Sequence, residues 1–372
     1  MVAYNASLLD ITKEHTPDPW ITHTNDKFFL TFTGNTRIPM WEASSLIGLY
    51  DRFERWPVYM APLLGPTSER LWAPELHCLQ GRWYIYFAGA DKLQGNRSHR
   101  MYVLGGPLEG QDPHQGPWEL LGPIAGMDQR QWAIDGTVFD IDGVLYFSYS
   151  GWPRRDDHSN GWEDRSERVQ ELFILRLSDP TTASSDTVMI SHPTQTWERL
   201  DEHGPAIIEG PQWLESPTSH WRGIVYSCSA SWTSHYKMAT LKYLGGDPLD
   251  PKEWQKSDKP LLQNREDGVG PYGPGHGCYL HAGGETVALF HATDRDTDGN
   301  QNRRCRMQRV RWTPSGPDMG GYVGVQTQDI DTFLQEQPPE HEPGADTRQP
   351  SKLKSLLHAL TGIVRAVEHE EL

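Results

Sequence analysis

Between Trp132 and Trp152 the chain reads WAIDGTVFDIDGVLYFSYSGW. Thr137 to Phe139 and Val144 to Tyr149 are β-branched and aromatic runs, and Asp142-Gly143 between them marks a two-residue turn whose central positions both take positive φ. The pattern predicts a β-hairpin. Asp135 stands ahead of its first strand between Ile134 and Gly136. An acid in that setting is a turn former or a site residue, and this stretch alone does not decide which.

The same unit recurs. DPWITHTNDKFFLTFTG opens at Asp18 and turns at Asn25-Asp26, and APELHCLQGRWYIYFAG opens near Glu75 and turns at Gln80-Gly81. IEGPQWLESPTSHWRGIVYSCSAS opens at Glu209 with a longer loop through Pro217; GPGHGCYLHAGGETVALFHA opens at His276 and turns at Gly283-Gly284. Each unit begins with a polar residue beside Pro or Gly, and the openings lie 57 to 74 residues apart. A third apolar segment follows each hairpin, from RIPMWEASSL to CRMQRVRWTPSG, and the first four are followed by pieces bearing Trp56, Trp118, Trp197 and Trp254. Four strands repeated five times predict an all-β fold, a five-bladed β-propeller. First strands line the channel of a propeller. Asp18, Glu75, Asp135, Glu209 and His276 should therefore converge at one mouth.

The ends carry different patterns. Residues before Asp18 are expected to cross a blade or close the ring, and GGYVGVQTQDIDTF to supply a last strand, giving one catalytic propeller over 1–334. Residues 335–372 begin with the linker-like QEQPPEHEPGADTRQ. They continue with a stripe of Leu353, Leu356, Leu357, Leu360, Ile363, Val364 and Val367 at helical spacing, behind Ser351 as an N-cap. This short C-terminal amphipathic helix either packs on its own propeller or joins subunits of a homo-oligomer.

Composition narrows the partners. The net charge is −16, from 34 basic and 50 acidic residues, which argues against nucleic acid. No apolar run approaches the length of a membrane span, and MVAYNASLLDITKEH lacks the basic start and apolar core of a signal peptide. That predicts a cytoplasmic protein, or a secreted one whose leader is absent from this sequence. Cys78, Cys228, Cys278 and Cys305 form no CxxC pair, so zinc spacing is absent and buried free thiols are expected. The 15 Trp and 14 Tyr suit both interblade packing and a sugar cleft.

Asp18 in DPWI, Asp135 in AIDGT and Glu209 in IIEGP are three carboxylates at one predicted mouth. Cleaving a glycosidic bond needs one carboxyl to protonate the leaving oxygen and another to activate water. A third beside the acid raises its pKa by like-charge repulsion. With DPWI, LWAPELHCLQGRWYIYFAG, AIDGTVF, IIEGP, GPGHG and LFHA…RRCRMQRVRW, the chain from Asp18 to about Met319 resembles glycoside hydrolase family 43. The resemblance implies inverting hydrolysis with Asp18 as base, Asp135 tuning and orienting the acid, and Glu209 as acid. It also implies His276 in the channel beneath the sugar, where relatives hold water or a structural Ca²⁺; no other cofactor is expected. Trp72, Glu75 and Trp152 are candidate subsite walls, with interblade packing the alternative for each. The resemblance predicts Arg soon after LFHA. Thr293 stands there instead, leaving Arg295 as the candidate sugar clamp.

The leading expectation is an exo-acting α-L-arabinofuranosidase on arabinan, arabinoxylan or their oligosaccharides, its pocket walled by the long insertion SGWPRRDDHSNGWEDRSERVQ. The family also holds β-D-xylosidases and endo-arabinanases. A non-catalytic sugar-binding propeller would not need the three carboxylates. A retaining fructan-type hydrolase would carry RDP where this chain has AIDG.

Overall fold

The computed structural model describes residues 6–153, 169–217, 219–282 and 285–335. The tight turns are set by backbone chirality. Asn25 and Asp26, Gln80 and Gly81, and Asp142 and Gly143 all take positive φ, from 49° to 87°. Two such residues in succession give the turn whose twist matches that of paired strands. The Gly283-Gly284 turn, the insertion between Pro153 and Val169, and residues 336–372 with the linker and amphipathic stripe lie outside the described residues.

Five antiparallel blades follow in chain order, the third and fourth joined by a short parallel ladder between Val169–Gln170 and Ala206–Ile207. Blade 1 is Trp20–Thr24, Lys27–Thr31, Arg37–Ala43 and Glu54–Met60. Blade 2 is Glu69–Leu79, Arg82–Ala90, Arg100–Leu108 and Glu119–Pro123. Blade 3 is Ala133–Ile141, Val144–Gly151 and Val169–Asp179, with Val188–Ser191 outermost. Blade 4 is Ala206–Glu215, Arg222–Cys228 and Lys237–Tyr243, edged by Trp254–Lys256 and Leu262–Gln263. Blade 5 is Tyr272–Ala282, Glu285–Thr293 and Arg304–Thr313. The expected Trp-bearing fourth strand fails in blade 3, where Trp197 sits in the 3-10 turn Thr196–Glu198 instead.

The fourth strand of blade 5 comes from the other end of the chain. Ser7–Asp10 pairs antiparallel with Arg304–Thr313, Leu9 opposite Met307 and Asp10 opposite Arg306. Val325–Thr327 then adds in parallel on its outer side. The latch has a buried ionic core: Arg306 is 0% exposed and its Nη1 donates to Asp10 Oδ1 at 2.6 Å, while Gln326 and Gln328 donate to Asp10 Oδ2. GGYVGVQTQDIDTF thus supplies the expected last strand, Val325–Thr327, and then turns into the helix Ile330–Gln335. Its Phe333 and Leu334 are buried, and Arg309 Nη2 donates to their carbonyls.

There is no single central core. Five apolar clusters lie between neighbouring blades, for example Phe139, Ile174, Ile208 and Ile224 between blades 3 and 4, and Leu9, Phe28, Leu289 and Met307 between blades 5 and 1. Each sheet is apolar on both faces and buries them against its neighbours. The axis is thereby left free for polar side chains.

Candidate active site

Every inner strand carries the same defect at the mouth. In blades 2 to 5 two residues oppose one across the hairpin, between Trp72 and Glu75, Ile134 and Thr137, Glu209 and Gln212, and Gly275 and Cys278. In blade 1 the Thr33 N–H bonds the Pro17 carbonyl while Trp20 faces Thr31, which leaves Asp18 and Pro19 as the equivalent pair. The first residue of each pair has left-handed backbone: Asp18 φ 54°, Ala73 43°, Asp135 55°, Gly210 57° and His276 46°. The second is Pro19, Pro74, Gly136, Pro211 or Gly277. Such bulges re-aim side chains, and left-handed non-glycine residues are costly enough to concentrate at functional sites. Gly136 is needed because a Cβ there would lie 2.1 Å from the Phe147 ring.

This register corrects the expected alignment. Asp18, Asp135 and His276 occupy the bulge itself, whereas Glu209 lies one residue before it and Glu75 two residues after. The mouth nonetheless gathers Asp18, Asp135, Glu209 and His276. His276 Nδ1 is 3.5 Å from Asp18 Oδ1 and 3.9 Å from Asp135 Oδ2. The Gly210 N–H, next to Glu209, donates to Asp135 Oδ2 at 3.2 Å. Thr33 donates to Asp18 Oδ2 at 2.6 Å, and Arg303 Nη1 lies 3.9 Å from Asp18 Oδ1.

The carboxyls hold their protons differently. Burial would raise Asp18, but His276, His291 and Arg303 outweigh it and hold the group well below the usual carboxylate range. Burial raises Glu209 to about 7, helped by the Asp18 charge and opposed by Tyr236, Arg303 and Ser231. Burial, Glu209 and Asp18 likewise push Asp135 well up. Asp135 and Glu209 are thus both pushed toward the protonated form, and Asp18 toward the ionised one.

The remaining expected contacts separate. Glu75 is 2% exposed and sits deeper: it accepts from Gln212 of blade 4, a bond that crosses the channel between non-adjacent blades, and lies 2.9 Å from His77 Nε2. It fills the channel rather than walling a subsite. Trp72 stays half-buried at the mouth, its Nε1–H on Asn35 Oδ1 at 3.0 Å and its ring stacked on His99. Trp152 is buried and stacked flat on Trp132 at 4.6 Å. Arg295 is exposed in a surface turn, and the guanidinium that reaches the carboxyls belongs to Arg303. Arg303, Tyr236, His291 and Thr33 were not singled out from the sequence; the first stands in the quoted RRCRMQRVRW, but its reach depends on the latch beside it. Cys228, Cys278 and Cys305 are buried free thiols, while Cys78 is half-buried.

Ca²⁺ takes six to eight oxygen ligands. His276 offers nitrogen, and its Nδ1 faces the two catalytic-mouth carboxylates rather than an oxygen cage. A metal-spaced grouping among the described residues is elsewhere, Glu42, Asp112 and His114, and Lys27 Nζ already lies 2.6 Å from Glu42 and 2.8 Å from Asp112.

Fold and mouth define a five-bladed propeller with three buried carboxyls gathered at one end of its channel. The chain belongs to Glycosyl hydrolases family 43, whose sequence profile matches residues 11–317. It is 31% identical over 321 residues to an extracellular exo-alpha-(1->5)-L-arabinofuranosidase of Streptomyces avermitilis, covering 82% of this chain and 62% of that one. It is 32% identical over 319 residues to alpha-L-arabinofuranosidase 43 of Humicola insolens, covering 82% and 61%. The chain thus spans about three fifths of the length of these relatives. Among solved structures it is similar to the alpha-L-arabinofuranosidase from Lactobacillus brevis, with TM-score 0.69, 25% identity, and coverage of 84% and 96%.

Proposed function

We propose that this protein is an inverting, exo-acting α-L-arabinofuranosidase that removes arabinofuranose from arabinan, arabinoxylan or their oligosaccharides. The observation that carries the chemistry is the gathering of three buried carboxyls at one mouth, Asp18 within 3.5 Å of His276 Nδ1 and Asp135 bonded by the Gly210 N–H beside Glu209, with Asp18 pushed toward the ionised form and Glu209 and Asp135 toward the protonated one. In this reading Asp18, oriented by Thr33, takes a proton from water as that water attacks the anomeric carbon. Glu209 gives its proton to the departing oxygen, and Asp135 keeps it available. His276 and Arg303 hold Asp18 ionised, and no step uses a metal. The choice of sugar is supported by the printed names of the relatives from S. avermitilis and H. insolens.

The word "extracellular" in the first of those names supports secretion rather than the cytoplasmic location expected from the opening residues. No helix among the described residues is long and apolar enough to cross a membrane.

Aryl α-L-arabinofuranoside and aryl β-D-xyloside assayed side by side test the sugar, and NMR of the first-formed product tests the stereochemistry. Faster turnover of the arabinoside with inverted configuration is expected. Preference for the xyloside would move the assignment to a β-xylosidase, and a retained product would make Asp18 a nucleophile.

A further inference from the structure

Behind the mouth a chain of contacts joins the acid to the base. Tyr236 directly precedes the third strand of blade 4, is 1% exposed, and faces the Glu209 carboxyl closely enough to hold its pKa down. Its ring stacks on His291 of blade 5, with centroids 5.7 Å apart and planes at 12°. Gly275, in GPGHG, makes room for that ring, since a Cβ there would lie 2.0 Å from Tyr236 Cε1. His291 is 1% exposed, and its Nδ1 accepts from the backbone N–H of Asp18 at 3.0 Å. That N–H belongs to the bulge residue with φ 54° and bonds the imidazole instead of the neighbouring strand. A nitrogen that accepts carries no proton, so the imidazole proton sits on Nε2. The same Nδ1 lies 3.3 Å from Asp18 Oδ1, so the ring touches both the backbone and the carboxyl of the base, and burial and Arg303 push its pKa down to about 3.

We propose that Tyr236 and His291 form a rigid spacer that sets the separation of Glu209 from Asp18, making them positioning residues for the hydrolysis. This rests on the roles given above to those two carboxyls. The separation matters because an inverting site must leave room for a water between base and sugar. One end of the spacer sets the Tyr236 side chain against the acid. The other fixes the strained backbone that aims the base.

Four variants test this with kcat, KM and pH profiles on an aryl arabinofuranoside and an arabino-oligosaccharide. His291→Phe keeps a flat ring but removes the acceptor. kcat and kcat/KM should fall together by about 100-fold with KM within about threefold, the signature of a base displaced by roughly 1 Å. His291→Asn returns a side-chain acceptor and should recover about tenfold of that loss. Tyr236→Phe keeps the stack but removes the hydroxyl that holds the Glu209 pKa down, making Glu209 a weaker acid, so the alkaline limb of kcat/KM should move to higher pH. Asp18, Asp135, Arg303 and Ser231, which also face Glu209, are unchanged in that variant. Should His291→Phe not fold, Tyr236→Leu removes the stacking partner and carries the same expected loss. Wild-type kcat in the ring variant that folds, no recovery in His291→Asn, or an unmoved limb in Tyr236→Phe would each overturn the spacer. Asp18→Ala in the same assay keeps the two levels apart: surviving activity there overturns the base assignment beneath it, whereas a dead Asp18→Ala beside a wild-type-like His291→Phe overturns the spacer alone.

Discussion

Replacing Glu209 with Gln should stabilise the protein while abolishing hydrolysis of natural glycosides. Glu209 is 7% exposed, and its acid strength is displaced from 4.5 to about 7, chiefly by burial. An acid raised in this way contributes full stability below its unfolded value and loses it as pH rises toward the folded one, because the folded state then binds more protons than the unfolded chain. At about 1.4 kcal/mol per pH unit, the span from 4.5 to about 7 amounts to about 3 kcal/mol above neutrality. Gln has the same shape and no charge to bury. Its amide brings a fixed cost if a proton goes unpaired, so the pH dependence is the clean observable. The advantage of Glu209→Gln over wild type should grow by a few kcal/mol between pH 5 and pH 8, on the order of several degrees in Tm. Thermal unfolding of both proteins at the two pH values measures it directly. A gap that stays constant from pH 5 to pH 8 would show that Glu209 ionises like an exposed glutamate and cannot be the stored proton.

Glu209→Ala should lose at least about 100-fold on arabino-oligosaccharides yet far less on aryl glycosides with good leaving groups, which need little protonation; equal losses on both would remove Glu209 as the acid. Asp135→Asn should lower kcat/KM and alter the alkaline limb of its pH profile, since Glu209 loses the buried carboxyl with which its titration is linked; an unchanged profile would assign Asp135 another role. Asp10→Ala should cost about 3 kcal/mol in chemical denaturation by leaving the fully buried Arg306 short of a partner, although Asp294 remains beside it. Prolonged dialysis against a chelator should leave kcat unchanged, and a loss restored by added Ca²⁺ would contradict the donor set around His276.

Most of the fold was legible because its signals are local. Turns such as Asp142-Gly143 announce themselves by residues that tolerate positive φ, and each hairpin then repeats the announcement. The three mouth acids were legible for the same reason, as polar residues beside Pro or Gly. Their register was not. In both WAPEL and IIEGP the dipeptide offers two alignments, and only pairing across the hairpin shows that Ala73 and Gly210 take the bulge. Arg303 and Arg295 were indistinguishable in sequence, because what separates them is the segment after the N-terminal strand, far away along the chain: the Thr16 N–H bonds the Arg303 carbonyl at 2.7 Å. Tyr236, in the loop-like SASWTSHY, carries no periodic signal at all.

The latch that joins Asp10 to Arg306 spans 296 residues of sequence. Translation proceeds at about 5–20 residues per second, so the N-terminal strand waits roughly 15–60 s for its partner to be made. Hairpins of the first four blades can close within microseconds of their synthesis. During that interval the first strand is an unpaired edge beside blade 1, and blade 1 lacks the neighbour that covers Phe28 and Leu30. The vulnerable period of this molecule's life is thus set by its topology, and substitutions at Leu8, Leu9 or Asp10 should act on yield during synthesis before they act on the finished enzyme.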